Sequence, residues 1–221
     1  MEKGRQTLSE GNISEGTLMI FMIGVGGQGS ITASKIIGES ALREGHDAVL
    51  SEIHGMSQRG GIVESSVVIG KRMSPMIEDG EADIILGFEP METLRSINKA
   101  SAKTVIITNT NSIIPYTVSM GQGTYPEMEV MLGIMRSRAA RLIPIDAFSL
   151  AKQAGSSMAS NAVLLGALCA LERFFLSSET VLQVFSEVLP EKLIRVNRDA
   201  FALGYKTVRE MPSSIPAFGP R

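Results

Sequence analysis

The stretch Gly24-Val25-Gly26-Gly27-Gln28-Gly29 decides the fold because of what stands on either side of it. The apolar run Thr17 to Ile23 comes directly before, and Ser30-Ile31-Thr32-Ala33-Ser34-Lys35-Ile36-Ile37, with helical spacing, directly after. A strand, a glycine loop and a helix in that order make a crossover. Gly24, Gly26 and Gly29 let the chain turn tightly, bring bare N–H groups against a ligand and pack the new helix close to the strand. A helix N-terminus at this point favours an anion, typically a phosphate, so Gly24, Gly26, Gly27, Gln28, Gly29 and Ser30 are candidate cofactor-binding residues. A glycine turn needed only for packing is the alternative reading of the same residues.

Outward from the loop, apolar β-rich runs alternate with helical patterns. This is the signature of an α/β, Rossmann-like, mainly parallel sheet with helices on both faces. Strands are expected at Met19 to Ile23, Asp47 to Glu52, Val63 to Ile69, Asp83 to Gly87, Thr104 to Thr108 and Arg141 to Ile145. Helices are expected at Ser30 to Glu44, Pro90 to Lys99, Glu127 to Ala140, Asn161 to Phe175, Ser178 to Val188 and Glu191 to Leu203, which makes the C-terminal region helical. Too few residues separate the second and third strands for a helical crossover, so they read as an inserted hairpin. Ser112 to Pro126 reads as a loop-rich excursion whose Gly121-Gln122-Gly123 is a surface turn or a second ligand loop. The expected organisation is a flexible tail over 1–16, a single domain over 17–210 and an extended, proline-containing tail over 211–221.

Composition excludes several classes. A net charge of −2 leaves no electrostatic footprint for nucleic acid. No apolar stretch reaches the ~20 residues of a membrane span, and the polar N-terminal segment lacks the apolar core of a signal peptide, so a cytoplasmic chain is expected. Cys169 is the single cysteine, which excludes an internal disulfide and a cysteine-ligated iron–sulfur cluster. His46 and His54 are the only histidines, with no second histidine at metal-ligand spacing, and no metal site is expected. Asp79, Glu81 and Asp83 around Gly80 read as a solvated turn. No catalytic residue is assigned.

The linker after the second strand, Ile53-His54-Gly55-Met56-Ser57-Gln58-Arg59-Gly60-Gly61, is the next informative segment. It starts at the carboxyl end of a strand, where open α/β sheets place ligands. His54, Ser57, Gln58, Arg59, Gly60 and Gly61 join the candidate set on their donors, acceptors and bare backbone. Arg59 is suited to a forked contact with a phosphate or carboxylate, or to an acid of a neighbouring subunit. Glu89 closes the fourth strand ahead of Pro90, as a site-edge residue or a helix cap.

Three segments together carry a family resemblance: Gly24 to Gly29, Ser51 to Gly61, and Asp79-Gly80-Glu81-Ala82-Asp83-Ile84-Ile85-Leu86-Gly87-Phe88-Glu89-Pro90. The chain resembles the gamma subunit or domain of the 2-oxoacid:ferredoxin oxidoreductases, most closely the small (beta) subunit of the indolepyruvate branch. The likeness runs from Met19 to about Gly204 and takes in Ser160-Asn161 and Asn197. It implies an accessory subunit of a complex that oxidatively decarboxylates a 2-oxoacid, an aryl pyruvate such as indolepyruvate for this branch. The acyl group is then taken up by coenzyme A, and electrons pass to ferredoxin. Thiamine diphosphate and [4Fe-4S] clusters are expected on the large partner subunit, since this chain has no Gly-Asp-Gly plus paired-asparagine thiamine signature and too few cysteines.

Within that reading the glycine loop binds coenzyme A through its phosphates, or both glycine segments pack on the catalytic subunit with no ligand of their own. A homodimer in the absence of the partner stays open. The alternatives from other classes are a stand-alone NAD(P)- or flavin-binding protein, with Glu52 as the ribose-binding acid, and a structural interaction protein using the apolar helix from Asn161. One prediction follows from the linker. Arg59→Ala is expected to leave the melting temperature of the free chain nearly unchanged, since exposed substitutions move stability by no more than ~0.5 kcal/mol. In the assembled enzyme it is expected to raise the coenzyme A requirement or weaken association. A strongly lowered melting temperature with full assembled activity would make Arg59 structural.

Overall fold

From Ile20 to Ile23 the first strand is buried on both faces, the mark of a central strand of a covered sheet. The computed structural model describes residues 16–55, 61–121 and 123–212. In chain order the elements are β1 (Leu18–Val25), α1 (Ser30–Arg43), β2 (Ala48–His54), β3 (Ile62–Ile69), β4 (Ile84–Gly87), α2 (Pro90–Arg95), β5 (Val105–Asn109), α3 (Tyr116–Ser119), α4 (Met128–Arg138), β6 (Arg141–Ile145), α5 (Ala147–Gln153), α6 (Ser160–Cys169), α7 (Ser178–Val188) and α8 (Glu191–Glu210). The strands form one sheet in the order β2-β3-β1-β4-β5-β6. β1, β4, β5 and β6 run parallel, and the β2–β3 hairpin lies antiparallel beside β1.

Side-chain alternation along the strands feeds two cores. Ile20, Met22, Ile84, Leu86 and Ile107 face the layer of α1, α5, α6, α7 and α8. Phe21, Ile23, Ile85, Ile106 and Leu142 face α2 and α4, where Met131 and Met135 are fully buried. Thus α1 leaves the end of β1 toward one face while α2 leaves the end of β4 toward the other. Their divergence opens a crevice between β1 and β4, where open α/β sheets bind ligands.

The structure adjusts the expected elements at their ends. The apolar helix stops at Cys169 and not Phe175. Leu171, Phe174 and Leu176 stay buried, but the chain leaves the helix through tight turns, with Leu171 N–H donating to Leu168 C=O and Phe174 N–H to Leu171 C=O. Apolar composition reports burial there, not helix length. The Pro90 to Lys99 helix is α2 followed by a separate 3-10 turn at Ile97–Lys99. α8 continues seven residues past Leu203 to Glu210. α5 was not expected at all; Asp146 caps it by accepting from Ser149 N–H at 2.9 Å.

α6 is buried from Ala162 to Cys169 and belongs to this chain's own core. It crosses α8 backbone to backbone. A Cβ added at Gly166 would lie 2.0 Å from the carbonyl oxygen of Phe201, and one at Gly204 would lie 1.9 Å from that of Val163. Gly204→Ala therefore forces the helices apart. It is expected to cost about 3 kcal/mol, as overpacked cores do, and to lower the melting temperature of the free chain by roughly 6–12 °C. Calorimetry checks this, and an unchanged transition would show that the crossing is looser than this geometry.

Candidate functional site

The loop after β1 is held by one side chain. Gln28 folds back so that its Oε1 accepts from Val25 N–H at 2.7 Å while its Nε2 donates to the Phe88 carbonyl at 2.9 Å. The same carbonyl accepts from Asn109 Nδ2 at 3.1 Å. Asn109 in turn accepts on Oδ1 from Asn111 N–H and Ala147 N–H, both at 3.2 Å. Two amide side chains thereby tie together the ends of β1, β4 and β5 and the start of α5. On the other side, Gly26 N–H donates to Gly61 C=O at 2.8 Å, which fixes the loop to the start of β3. Register brings Gly24, Val63 and His54 abreast, so the β2–β3 linker starts at the same sheet edge as the glycine loop.

Gly29 has φ 83°, a left-handed conformation that non-glycine residues rarely adopt, and a Cβ there would lie 2.7 Å from Asn161 Nδ2. The N-termini of α1 and α6 therefore abut. Beside them lies a cleft of 230 Å³ lined by Gly27, Gln28, Phe88, Asn109, Phe148, Ser157, Met158 and Ser160, among others. Among the described residues, α1 and α6 share a property. Neither has a side-chain cap from its N-cap residue or an acidic residue in its first turn, although in α6 the neutral Asn161 Oδ1 accepts from Ala162 N–H at 2.9 Å. Every other α-helix longer than four residues has at least one of the two: Glu89 and Glu92 on α2, Glu129 on α4, Asp146 on α5, Ser177 and Glu179 on α7, Glu191 on α8. The positive ends left without a protein anion are those that meet at the cleft.

The structure sorts the expected site residues. Gly24 is in β1, where a Cβ would come 2.7 Å from Gln28 Oε1 and from Phe88 Cβ, so it serves the close approach of loop and β4. Gly27 is open on its Cβ side. Gln28 lines the cleft, yet its amide is already engaged by backbone on both ends. Ser30 opens α1 and is buried. Of its two readings Glu89 takes that of helix cap: it is buried, accepts from Glu92 N–H at 2.9 Å and from Ile113 N–H at 3.2 Å, and receives the Tyr125 hydroxyl at 2.5 Å. Burial and then that hydrogen bond push the Tyr125 phenol above its ordinary range. Gly61 is placed by its bond to Gly26, His54 ends β2, and Ser57, Gln58, Arg59 and Gly60 lie outside the described residues.

Glu52 does not stand where a dinucleotide acid would. β3 separates its strand from β1, with Glu52 opposite Ser65 and Ser65 opposite Met22. Its Oε1 sits 3.4 Å from Ser34 Oγ and 3.9 Å from Lys35 Nζ, in the packing of α1 on β2. A larger cleft of 500 Å³ lies at the opposite, amino-terminal edge. There Arg173 donates to Lys103 C=O and pairs with Asp83 at 3.5 Å, while Asp83 accepts from Met19 N–H, so these charges largely serve the fold. Among the described residues no group of side chains is arranged to hold a metal, and no helix is long and apolar enough to cross a membrane.

Residues 19–207 match the family model described as pyruvate ferredoxin/flavodoxin oxidoreductase. The indolepyruvate oxidoreductase subunit IorB of Archaeoglobus fulgidus is 38% identical over 199 residues, covering 90% of this chain and 99% of that protein. Among solved structures, the gamma subunit of a keto/oxoacid ferredoxin oxidoreductase from Geobacter sulfurreducens superposes with a TM-score of 0.62 at 25% identity, over 86% of this chain and 98% of that one. The 2-oxoglutarate:ferredoxin oxidoreductase of Magnetococcus marinus, solved with 2-oxoglutarate, coenzyme A and succinyl-CoA, shares the fold with a TM-score of 0.70 at 21% identity. The match covers 90% of this chain but only 32% of that larger one. The chain belongs to the pyruvate ferredoxin/flavodoxin oxidoreductase family. Within it, the chain is a small, gamma-type subunit of a 2-oxoacid:ferredoxin oxidoreductase.

Sequence reading missed Asn109, Phe148, Ser157 and Met158. The rule that ligands gather at carboxyl ends of parallel strands, applied to every strand, points at Asn109 and Asn111. Gln28 tests the loop's design. Gln28→Ala leaves Val25 N–H without its acceptor and is expected to cost about 1–3 kcal/mol. Gln28→Glu keeps that acceptor but sets a carboxylate oxygen against the Phe88 carbonyl. Its protonated form restores the donor, so the folded pKa of the new carboxyl should be raised. The recovered stability is then full below the unfolded value of ~4.3 and is lost as pH rises. Denaturant unfolding against wild type at pH 4 and pH 7 checks this; a deficit independent of pH would mean the donor to Phe88 carries no weight.

Proposed function

We propose that this subunit completes an oxidoreductase acting on an aryl 2-oxoacid such as indolepyruvate, and that the cleft takes the phosphates of coenzyme A. The substrate reading rests on relatives of the whole chain that are named for indolepyruvate. The ligand reading rests on one observation: α1 and α6, the two helices that meet at the cleft, lack an anion of their own. A phosphate there would take amides from the start of α1, with the Ser157 hydroxyl at the wall; Ser160 also lines the wall, but its hydroxyl donates to Ser157 C=O at 2.7 Å. Coenzyme A bound in the Magnetococcus enzyme agrees with this reading. The large partner carries thiamine diphosphate and the [4Fe-4S] clusters and passes electrons to ferredoxin. Cys169, the single cysteine, is buried with its thiol pushed far up by desolvation, so it offers no thiolate for a cluster or for catalysis. A cytoplasmic location fits a chain with one unpaired cysteine.

In this assembly the chain's own task is binding and orientation. Gln28 and Asn109 hold the loop and the strand ends so that the amides are aimed before the ligand arrives, which spares the cost of ordering them on binding. The purified chain alone is expected to oxidise no 2-oxoacid with a dye acceptor, and addition of the large subunit is expected to restore turnover. The anion reading is tested by a pair of variants at Gly27, whose Cβ side is open. Gly27→Asn and Gly27→Asp impose the same backbone strain and nearly the same shape, so their difference reports charge. The Asp variant is expected to raise the KM for coenzyme A at least about tenfold over the Asn variant, about 1.4 kcal/mol, in the reconstituted enzyme. Equal KM values overturn the anion site; turnover by the chain alone overturns the accessory role.

A further inference from the structure

Around the cleft, large apolar side chains stand exposed among polar ones such as Asn111. Met158 is 84% exposed, Ile114 48%, Ile113 42% and Phe148 41%; Ile113, Phe148 and Met158 line the cleft itself. The carboxylates at the neighbouring strand ends, Glu89 after β4 and Asp146 after β6, are spent as helix caps. Exposed Met, Ile and Phe side chains gathered around an open cleft are the residue types of an interface core. The cleft is also small. Its 230 Å³ falls below the ~300–1,000 Å³ typical of sites that enclose a ligand by themselves.

We propose that this carboxyl-edge face is where the large subunit docks, with Met158 seated in the partner, and that docking closes the cleft over its ligand. The occupant follows from chain architecture. In the Magnetococcus enzyme this fold is 32% of one polypeptide. There the covalent link supplies effective concentration, so the contacts between units can be weak. Here the same unit is a separate small subunit of full-length relatives, and a free chain must carry its own apolar face to find its partner. The proposal rests on the two-subunit reading given above.

Met158→Glu tests it in the reconstituted enzyme, because the side chain is mostly solvent-exposed in the free subunit and the fold should be indifferent to the change. Val130→Glu on the outer face of α4, 56% exposed, is the matched control. Sedimentation titrations against the large subunit are expected to show association weakened on the order of 30-fold for Met158→Glu, as for an interface hot spot, and unchanged for Val130→Glu. Normal association of Met158→Glu overturns the proposal, as does equal loss in both variants. A free chain that sediments as a dimer and is split by Met158→Glu overturns it in favour of a second copy. The KM for coenzyme A measured with the Gly27 pair at saturating large subunit stays a separate readout, so a failed docking face and a failed anion site are told apart.

Discussion

One carbonyl oxygen organises the functional edge of this protein. Phe88 C=O, just past the end of β4, receives an amide from Gln28 in the loop after β1 and another from Asn109 at the end of β5. A parallel sheet fixes its strands through ladder bonds but leaves the loops beyond their ends free, and α1 and α2 leave this edge toward opposite faces. Something must therefore stop the crevice between β1 and β4 from opening. Two neutral side-chain amides do so without a charge, which matters beside the site proposed for an anion. Each is itself braced, Gln28 by Val25 N–H and Asn109 by two further backbone amides, so the network is satisfied and rigid.

The parts of the fold that were legible in the sequence are those fixed by local pattern. All six strands lie where apolar β-rich runs predict them, and the hairpin follows from the short link between β2 and β3. The glycine loop was legible because its flanks, not its glycines, identify a crossover. The errors sit where tertiary packing overrides pattern. The segment after Cys169 is as apolar as the helix before it, and only its turns reveal that it folds back. α5 was hidden because seven residues are too few to establish a helical period.

Site residues were harder to read for a different reason. Gln28 in a glycine loop looks like a ligand contact, and nothing local says that its amide reaches Phe88, sixty positions away. Glu89 ahead of Pro90 admits both a site and a cap; Tyr125, thirty-six residues on, helps settle it by donating to the carboxylate from the far side of a loop excursion. Asn109 carried no signal as a residue, only as a position at the carboxyl end of a strand. In each case the chemistry depends on a partner distant in sequence, which a reading by motif does not supply.

The uncapped helices and the apolar rim have a common physical origin. A helix that ends at solvent can be capped by water and gains little from leaving its amides bare, so bare amides beside a cleft are useful only where a ligand or protein will exclude that water. Excluding water requires a cover, and among the described residues the rim offers none of its own: Met158 and Phe148 stand at the edge and no segment closes over them. On the proposed reading, a free subunit built this way holds half of a site. The half proposed here for an anion is braced by Gln28 and Asn109, and the half proposed to cover it comes from another chain.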